Sequence, residues 1–381
     1  MTGPKNKEER KRKEIISSFG DDIFKIISEA EAKQGNFSPK IRTRIPDWKS
    51  GTRSIIDYYT AIEGDDEGSS GKHRYVPKII SPENAEDLIV ELSALEDPTP
   101  LKDIFVNLVG HKVKNDYHLM VFEVPRFQTV YGRYDEDVII PFEDEQIELL
   151  RPFKPLNRLK EDSPEVKKIE ERLKENSKLY LKGEEPIEKL EKLTTDEYVE
   201  KFVRYACPKN ASESIKEEVG NSFRYLTEKY LTNPDLMCLI QHDSYPWNHL
   251  GRRLVDAGDL KIGSPAIQLG CLYGNPRIYN RLFGLSKPPI NANRRENVEY
   301  CIGEIAKNYS LELKLDPETI DKAIYVGAIY GNVRLLPAKD FNKQDKRKFR
   351  KAALEQVSIL KEKDQGARDL ESSFLRLGWK I

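Results

Sequence analysis

Ala266-Ile-Gln-Leu-Gly-Cys-Leu-Tyr-Gly-Asn-Pro-Arg-Ile278 is echoed 57 positions later by Ala323-Ile-Tyr-Val-Gly-Ala-Ile-Tyr-Gly-Asn-Val-Arg-Leu335. Seven of the thirteen positions are identical, and three more exchange one aliphatic residue for another. Self-similarity at a fixed offset marks a structural unit used twice. Each copy closes on Tyr-Gly-Asn, and Gly and Asn tolerate the left-handed backbone that a helix C-cap requires. The sequence therefore predicts a duplicated helix-corner-helix element whose Ala and Gly residues allow close packing. Arg277 and Arg334 take matching positions just past each corner, which suggests that both face one ligand surface. The small residues and the aliphatic register match neither an ankyrin-type unit nor a DNA-binding helix-turn-helix.

Outward from the repeat, residues 195 to 381 read as a mainly α domain. Apolar periodicity and caps predict helices over 195–206, 211–231, 249–257, 264–273, 276–284, 295–309, 317–330, 342–363 and 368–378. Pro265 and Pro276 suit a helix's first turn. Residues 154–194 are dominated by lysine and glutamate, and read as a charged helical linker. Residues 74–153 carry short runs rich in β-branched and aromatic residues: Ile104–Val109, Tyr117–Val124, Thr129–Tyr131 and Val138–Phe142. With a helix from Pro82 to Leu95 behind Ser81, they predict a small α+β domain with a largely antiparallel sheet. Residues 1–73 read as a basic arm, an amphipathic helix from Ile15 ending near Gly35-Asn36, and an acidic glycine-rich loop, Gly64 to Gly71. The expected fold is an α+β N-terminal domain plus a mainly α C-terminal domain, two-lobed, with the duplicated element in the second.

A chain of 381 residues exceeds one ordinary core. Apolar residues are 38% and charged residues 33%, too apolar for general disorder. Lys plus Arg (63) nearly cancels Asp plus Glu (64), so any argument for an anionic partner must come from clustering. Cys207, Cys238, Cys271 and Cys301 contain no C-x-x-C pair. They read as reduced, small hydrophobic residues of an intracellular protein rather than zinc ligands. The start is charged, without a signal peptide's apolar core, and no run reaches the roughly 18 apolar residues of a membrane helix. A soluble protein is expected, with no cofactor and no metal.

Two clusters of cations stand out. Lys343, Lys346, Arg347, Arg350 and Lys351 fall at i, i+3, i+4, i+7 and i+8, on one helical face opposite Phe349, Ala353, Val357 and Leu360. Like charges at i,i+4 repel, so such a row costs stability unless it meets an anion. Between Asp243 and Glu296, eight basic residues face four acidic ones, a balance of 8 − 4 = +4. That patch includes Arg252, Arg253, Arg277, Arg281, Arg294 and Arg295, interleaved with Tyr245, Trp247, Tyr273, Tyr279 and Phe283. Basic residues tracking a backbone, with aromatics to stack bases, suit single-stranded nucleic acid. With Arg334 these residues predict a non-enzymatic nucleic-acid-binding protein, for instance single-stranded RNA in a nucleoprotein particle, with self-association conceivable.

Other chemistries are less complete. Glu312-Leu-Lys314 has the E-x-K spacing of metal-dependent nucleases but lacks an upstream Asp. Helical hairpins also suit a protein-interaction scaffold. His111, Asp116 and His118, and separately His242, Asp243 and His249, form loose clusters without the i,i+4 histidines of a helical metal site. Gly64 to Lys72 ends in Gly-Lys, but the glycine spacing is wrong for a P-loop and His73 replaces its Ser or Thr.

Overall fold

The computed structural model describes residues 14–35, 40–44, 54–62, 73–95, 101–124, 153–181, 185–243, 249–274, 303–310, 314–338 and 341–380, apart from single positions within these ranges. The chain divides into two compact units. One comprises Met1–Asp135, Ile169–Lys189 and Leu250–Gly258; the other comprises Glu136–Lys168, Leu190–His249 and Asp259–Ile381.

The first unit is built on an antiparallel sheet. Its elements are α1 (Gly20–Lys33), β1 (Lys40–Arg44), β2 (Ser54–Ile56), β3 (Tyr58–Ile62), β4 (His73–Ile80), α2 (Ala85–Leu95), β5 (Asn107–Lys114) and β6 (Tyr117–Val124). The strand order is β1-β3-β4-β6-β5, and β2 pairs with β4 as well. The sheet thus begins at Lys40, ahead of the stretches the sequence reads as strands, and β5 starts at Asn107 rather than Ile104. Asn115 and Asp116 join β5 to β6 with φ of 51° and 61°. Both types accept the left-handed backbone that a two-residue hairpin turn needs.

Strand alternation sorts the core into two layers. Tyr75 and Ile79 of β4, with Leu119 and Val121 of β6, pack against Phe19, Ile23 and Ile27 at α1. Ile80, Met120 and Phe122 point the other way and pack with Leu88 and Leu92 of α2 and with Val106. Each fully buried side chain of this kind contributes about 1.5–3 kcal/mol. The α1 layer also holds one polar tie, a 2.6 Å hydrogen bond from the Tyr75 hydroxyl to the Glu31 carboxylate.

The second unit is mostly helical. It contains α3 (Phe153–Asn157), α5 (Thr195–Ala206), α6 (Glu213–Tyr230), α7 (Pro265–Tyr273), α8 (Pro317–Arg334), α9 (Lys343–Leu360) and α10 (Gln365–Arg376). A longer helix, α4 (Pro164–Tyr180), precedes α5. Local chemistry explains the starts. Thr194 and Glu197 form a capping box at α5, Ser264 caps α7 ahead of Pro265, and Asp316 caps α8 through the Thr319 N–H. The unit is not purely helical: β7 (Cys238–Gln241) pairs antiparallel with β10 (Leu260–Gly263). The helix expected over 249–257, most of which belongs to the first unit, is replaced by two short strands, β8 (His249–Leu250) and β9 (Arg253–Leu254). A short apolar run such as Cys238-Leu-Ile-Gln241 cannot be assigned by periodicity alone. The expectations for 1–13, 64–71, 129–131, 138–142, 276–284 and most of 295–309 fall outside the described residues.

The two repeat copies lie against each other as α7 and α8. A Cβ on Gly270 would sit 2.2 Å from the Ala328 nitrogen, and one on Gly327 would sit 2.0 Å from the Ala266 carbonyl oxygen. Gly274 would meet Ala328 Cβ at 2.4 Å, and Gly331 would meet Cys271 Sγ at 2.8 Å. Positions 274 and 331 correspond, as do 271 and 328, so the contact is reciprocal. The predicted corners need correction. α8 runs through Tyr330-Gly331-Asn332 without a break, and Gly274 caps α7 at φ −79°, in right-handed conformation. Glycine is required here for close approach, not for positive φ. Asn332 donates to the Gly274 carbonyl at 2.8 Å, and Gln356 of α9 donates to the same oxygen at 2.9 Å.

Among the described residues, no helix is long and apolar enough to cross a membrane. Gly327→Ala is expected to destabilise the protein by about 3 kcal/mol, because the new methyl meets backbone rather than a movable side chain. Gly20→Ala, which meets nothing within 4 Å, is expected to be neutral or stabilising by up to about 1 kcal/mol. Denaturant midpoints compare the two directly; equal midpoints would refute the close-packing account.

Candidate active site

The alternation of β4 sends Lys78 to the same side as Val76 and Ile80, which is the α2 layer. Leu88, Glu91, Leu92 and Leu95 share one face of α2 by their i, i+3, i+4, i+7 spacing. Glu91 is therefore the polar residue on the face that Lys78 meets. Lys78 Nζ lies 2.6 Å from Glu91 Oε2 and 2.7 Å from Asp256 Oδ1. Glu91 is 1% exposed, Lys78 13% and Asp256 39%. Burial pulls the Lys78 ammonium down, but Asp256 and Glu91 outweigh it and hold it above the ordinary lysine range. Burial likewise pushes the Glu91 carboxyl up, while Lys78 and the Ala257 N–H draw it back.

The third member arrives on a tightly threaded segment. Leu254 exchanges backbone hydrogen bonds with Ile104 and Val106, at 2.8 and 3.0 Å. Asp256 then adopts φ 65°, a left-handed conformation uncommon outside glycine. Ala257 is fully buried. A Cβ on Gly258 would stand 2.6 Å from the Asp87 carbonyl oxygen in α2, so only glycine fits. Asp256-Ala257-Gly258 is thereby pressed beneath α2, with the Asp256 carboxylate turned to Lys78. Asp256 is the more exposed of the two carboxylates on this ammonium.

The second unit holds its own polar constellation at the end of β7. The His242 N–H donates to the Asp259 carbonyl at 3.0 Å, extending the β7–β10 pairing by one bond. Its ring is buried beside Tyr330, with centroids 6.5 Å apart. Burial holds His242 well below the ordinary imidazole range, and Arg334 adds to that, so the ring is neutral. Arg334 donates to the His242 carbonyl at 3.1 Å and lies 3.4 Å from Asp243 Oδ1.

The sequence-predicted cations fare variously. Arg334 is turned to Asp243 and His242 rather than to an open ligand surface. The basic helix forms as α9, and its predicted apolar side is buried: Phe349, Ala353, Val357 and Leu360. Lys343, Arg347, Arg350 and Lys351 are exposed and Lys346 half-buried. Arg350 sits 5.9 Å over the Trp379 ring, and Lys351 is 3.9 Å from Glu355. Arg253 is half-buried in β9, while Arg252, Arg277, Arg281, Arg294 and Arg295 lie outside the described residues. Lys314 is exposed in a turn at φ 55°, not on a helix, and Glu312 falls outside the described residues. His111 and His118 share a 3.1 Å nitrogen–nitrogen contact and stack against each other, with Tyr180 edge-on to both. Among the described residues, no three or more His, Cys, Asp or Glu gather to hold a metal.

Lys78, Glu91 and Asp256 escaped sequence reasoning, yet a signal existed. Asp243 is followed five residues on by Asn248, then by Asp256-Ala-Gly258. That order parallels the protein-kinase pattern H-R-D-L-x-x-x-N and D-F-G, with its strand lysine and helix glutamate. The chain departs from it: Asp243 follows His242 directly, Ala257 stands where Phe would, and no G-x-G-x-x-G occurs. Asn248 itself lies outside the described residues.

No family model matches the chain and no curated protein matches it. Among solved structures it is similar to the macrolide 2'-phosphotransferase MphH from Brachybacterium faecium, with 12% identity over 79% of this chain and 97% of that one, at TM-score 0.38. It is similar to an aminoglycoside-3'-phosphotransferase of type VIII, with 12% identity over 88% and 98%, at TM-score 0.37. The aminoglycoside phosphotransferase APH(3'')-Id from Streptomyces rimosus gives 10% identity over 81% and 98%, at TM-score 0.40. The expectation of a non-enzymatic nucleic-acid-binding protein or nucleoprotein is corrected by this finding, since these structures are phosphotransferases. The physical reason for the misreading is that counting cations along the chain ignores their partners, and Arg334 and Lys351 each have a carboxylate within 4 Å.

Lys78→Met strands a buried carboxylate, which costs about 3–5 kcal/mol. A carboxyl whose folded pKa is raised binds its proton more readily in the folded state. The penalty is therefore expected in full at pH 8 and should shrink as pH falls toward the ordinary carboxylate range. Urea midpoints of variant and wild type at both pH values measure this; a pH-independent difference would contradict it.

Proposed function

We propose that this chain is a phosphotransferase, moving the terminal phosphoryl group of a nucleoside triphosphate onto a hydroxyl-bearing acceptor. The single observation carrying the proposal is Lys78, gripped on its strand by Glu91 from the following helix, with Asp256 of an Asp-x-Gly segment on the same ammonium. In phosphoryl transfer the protein mainly positions groups and stabilises charge. Glu91 orients Lys78, and the Lys78 ammonium holds the phosphate oxygens. The acceptor oxygen bonds to phosphorus as the phosphorus bond to the leaving nucleoside diphosphate breaks, and the hydroxyl proton leaves to water.

The donor set fits a magnesium ion. Asp256 offers a hard carboxylate ligand and is 39% exposed. Magnesium is bound through one or two carboxylates plus substrate phosphates rather than a protein cage, so few protein donors suffice. When bound, the ion would neutralise phosphate oxygens as charge develops.

Magnesium with adenosine triphosphate is expected to raise the thermal midpoint of the wild-type chain, by the linkage of ligand binding to folding. Lys78→Met and Asp256→Asn should abolish the shift. Both variants should also lose nucleoside diphosphate release. A wild-type chain with neither a nucleotide-dependent shift nor turnover sinks the proposal, as does full turnover in Lys78→Met.

A further inference from the structure

We infer that the first half of α9 is a docking face for an anionic membrane surface, attracted by charge and not inserted. The inference lies within the second unit and does not rest on the phosphotransferase reading. From Lys343 to Lys351, Phe349 is the one buried residue, whereas from Ala352 to Leu360 every position is buried or half-buried. The helix is thus rooted in the core by its second half and bare along its first. The bare half carries Lys343, Lys346, Arg347, Lys348, Arg350 and Lys351. At about 100° per residue, Lys346, Arg350, Lys343, Arg347 and Lys351 follow one another about 40° apart around the axis, over about 12 Å of its length. They form a belt of positive charge on a rigid support.

Folding does not explain the belt. Elsewhere the chain pairs its helical cations: Arg204 with Glu200, Lys216 with Glu213, and Lys322 with Glu318. On α9, Lys351 lies 3.9 Å from Glu355, and Arg350 sits over the Trp379 ring. No ion pair joins Lys343, Lys346, Arg347 or Lys348 to another described residue. Like charges at i,i+4 repel, and cations in a first turn oppose the helix dipole. α1, α2, α5 and α8 open on acidic residues, while α9 sets Lys343 and Lys346 on either side of Asp345. Cations spread around an arc do not converge on one small anion; they match a broad negative surface. Aromatic side chains on which bases would stack are withdrawn, with Phe349 and Trp379 buried and Phe341 half-buried. Four of the six cations are lysines, hydrated point charges suited to a diffuse potential. A cluster of roughly four to eight Lys and Arg on a helix is what an anionic leaflet attracts.

The test is co-sedimentation of the full chain with phosphatidylcholine vesicles, with and without phosphatidylserine. Capture is expected on the phosphatidylserine vesicles alone, and it should fall steeply as salt rises. The double variant Lys343→Gln with Arg347→Gln should bind them about 25-fold more weakly, at about fivefold per cation removed. Its thermal midpoint should stay level or rise, because repulsion along the helix is relieved. A control with the same change in net charge, Lys25→Gln with Lys209→Gln, removes two exposed cations far along the sequence from α9 and should bind like wild type. Absence of capture at low salt would overturn the inference, as would equal capture by neutral vesicles or an equal loss in the control. Tighter binding to a single-stranded oligonucleotide than to the vesicles would overturn it as well, and assign the belt to nucleic acid.

Discussion

An ammonium sunk into an apolar layer cannot stand alone, and in the first unit this constraint organises everything around Lys78. An isolated buried charge costs several kcal/mol, so partners must arrive with good geometry. One partner, Glu91, is 13 residues away, and the other, Asp256, is 178 residues away. The near partner requires β4 and α2 to be joined by a short link with their registers matched. The distant one requires a later segment to cross beneath α2. That crossing explains why Gly258 has no room for a side chain and why Asp256 takes a left-handed backbone. The sheet and its helices fold readily on hydrophobic grounds; the ion cluster fixes which surface of the sheet carries polar chemistry.

The second unit solves a different problem with the same economy of parts. Its repeated segment does not present two equivalent corners to a ligand. It makes two helices that approach to backbone contact through corresponding glycines. Only side chains without Cβ permit that distance, and the result is a stiff pair with hydrogen bonds from Asn332 and Gln356 closing over its end. Stiffness at the end of α8 matters because Arg334 projects there. The repeat is an element of rigidity before it is an element of recognition.

Much of the helical architecture was legible because caps and 3.6-residue periodicity act locally. Thr194 with Glu197, Ser264 with Pro265, and Asn342 announce their helices within three residues. The buried side of α9 was legible for the same reason. The Tyr117–Val124 strand was read from alternation and β-branched content. β1 carries no strand signal because Lys40-Ile-Arg-Thr-Arg44 is mostly charged, and β2 and β3 are short runs of three and five residues. The 249–257 segment was misread because periodicity cannot distinguish two-residue strands from a helix fragment. The site was invisible to charge counting, which looks for like charges gathered along the chain. Lys78, Glu91 and Asp256 are opposite charges gathered across it, and each is unremarkable in its own window. Only the joint spacing of Asp243, Asn248 and Asp256-x-Gly258 carried a readable signal.

The composition of the Lys78 cluster itself argues for chemistry over stability. Lys78 already has Glu91 at 2.6 Å, and Asp256 is a second carboxylate on the same ammonium at 2.7 Å. A purely structural solution would omit Asp256, or replace the ions with apolar residues of similar volume, at no loss and often a gain in stability. Instead the chain holds Asp256 in a sparsely populated conformation, costing on the order of 1–3 kcal/mol. Glycine at 258 is also obligatory. The left-handed backbone and the exposure both fall on Asp256, while Glu91 is sealed from water. Within the cluster, Asp256 is the residue whose left-handed backbone and exposure hydrophobic packing does not explain.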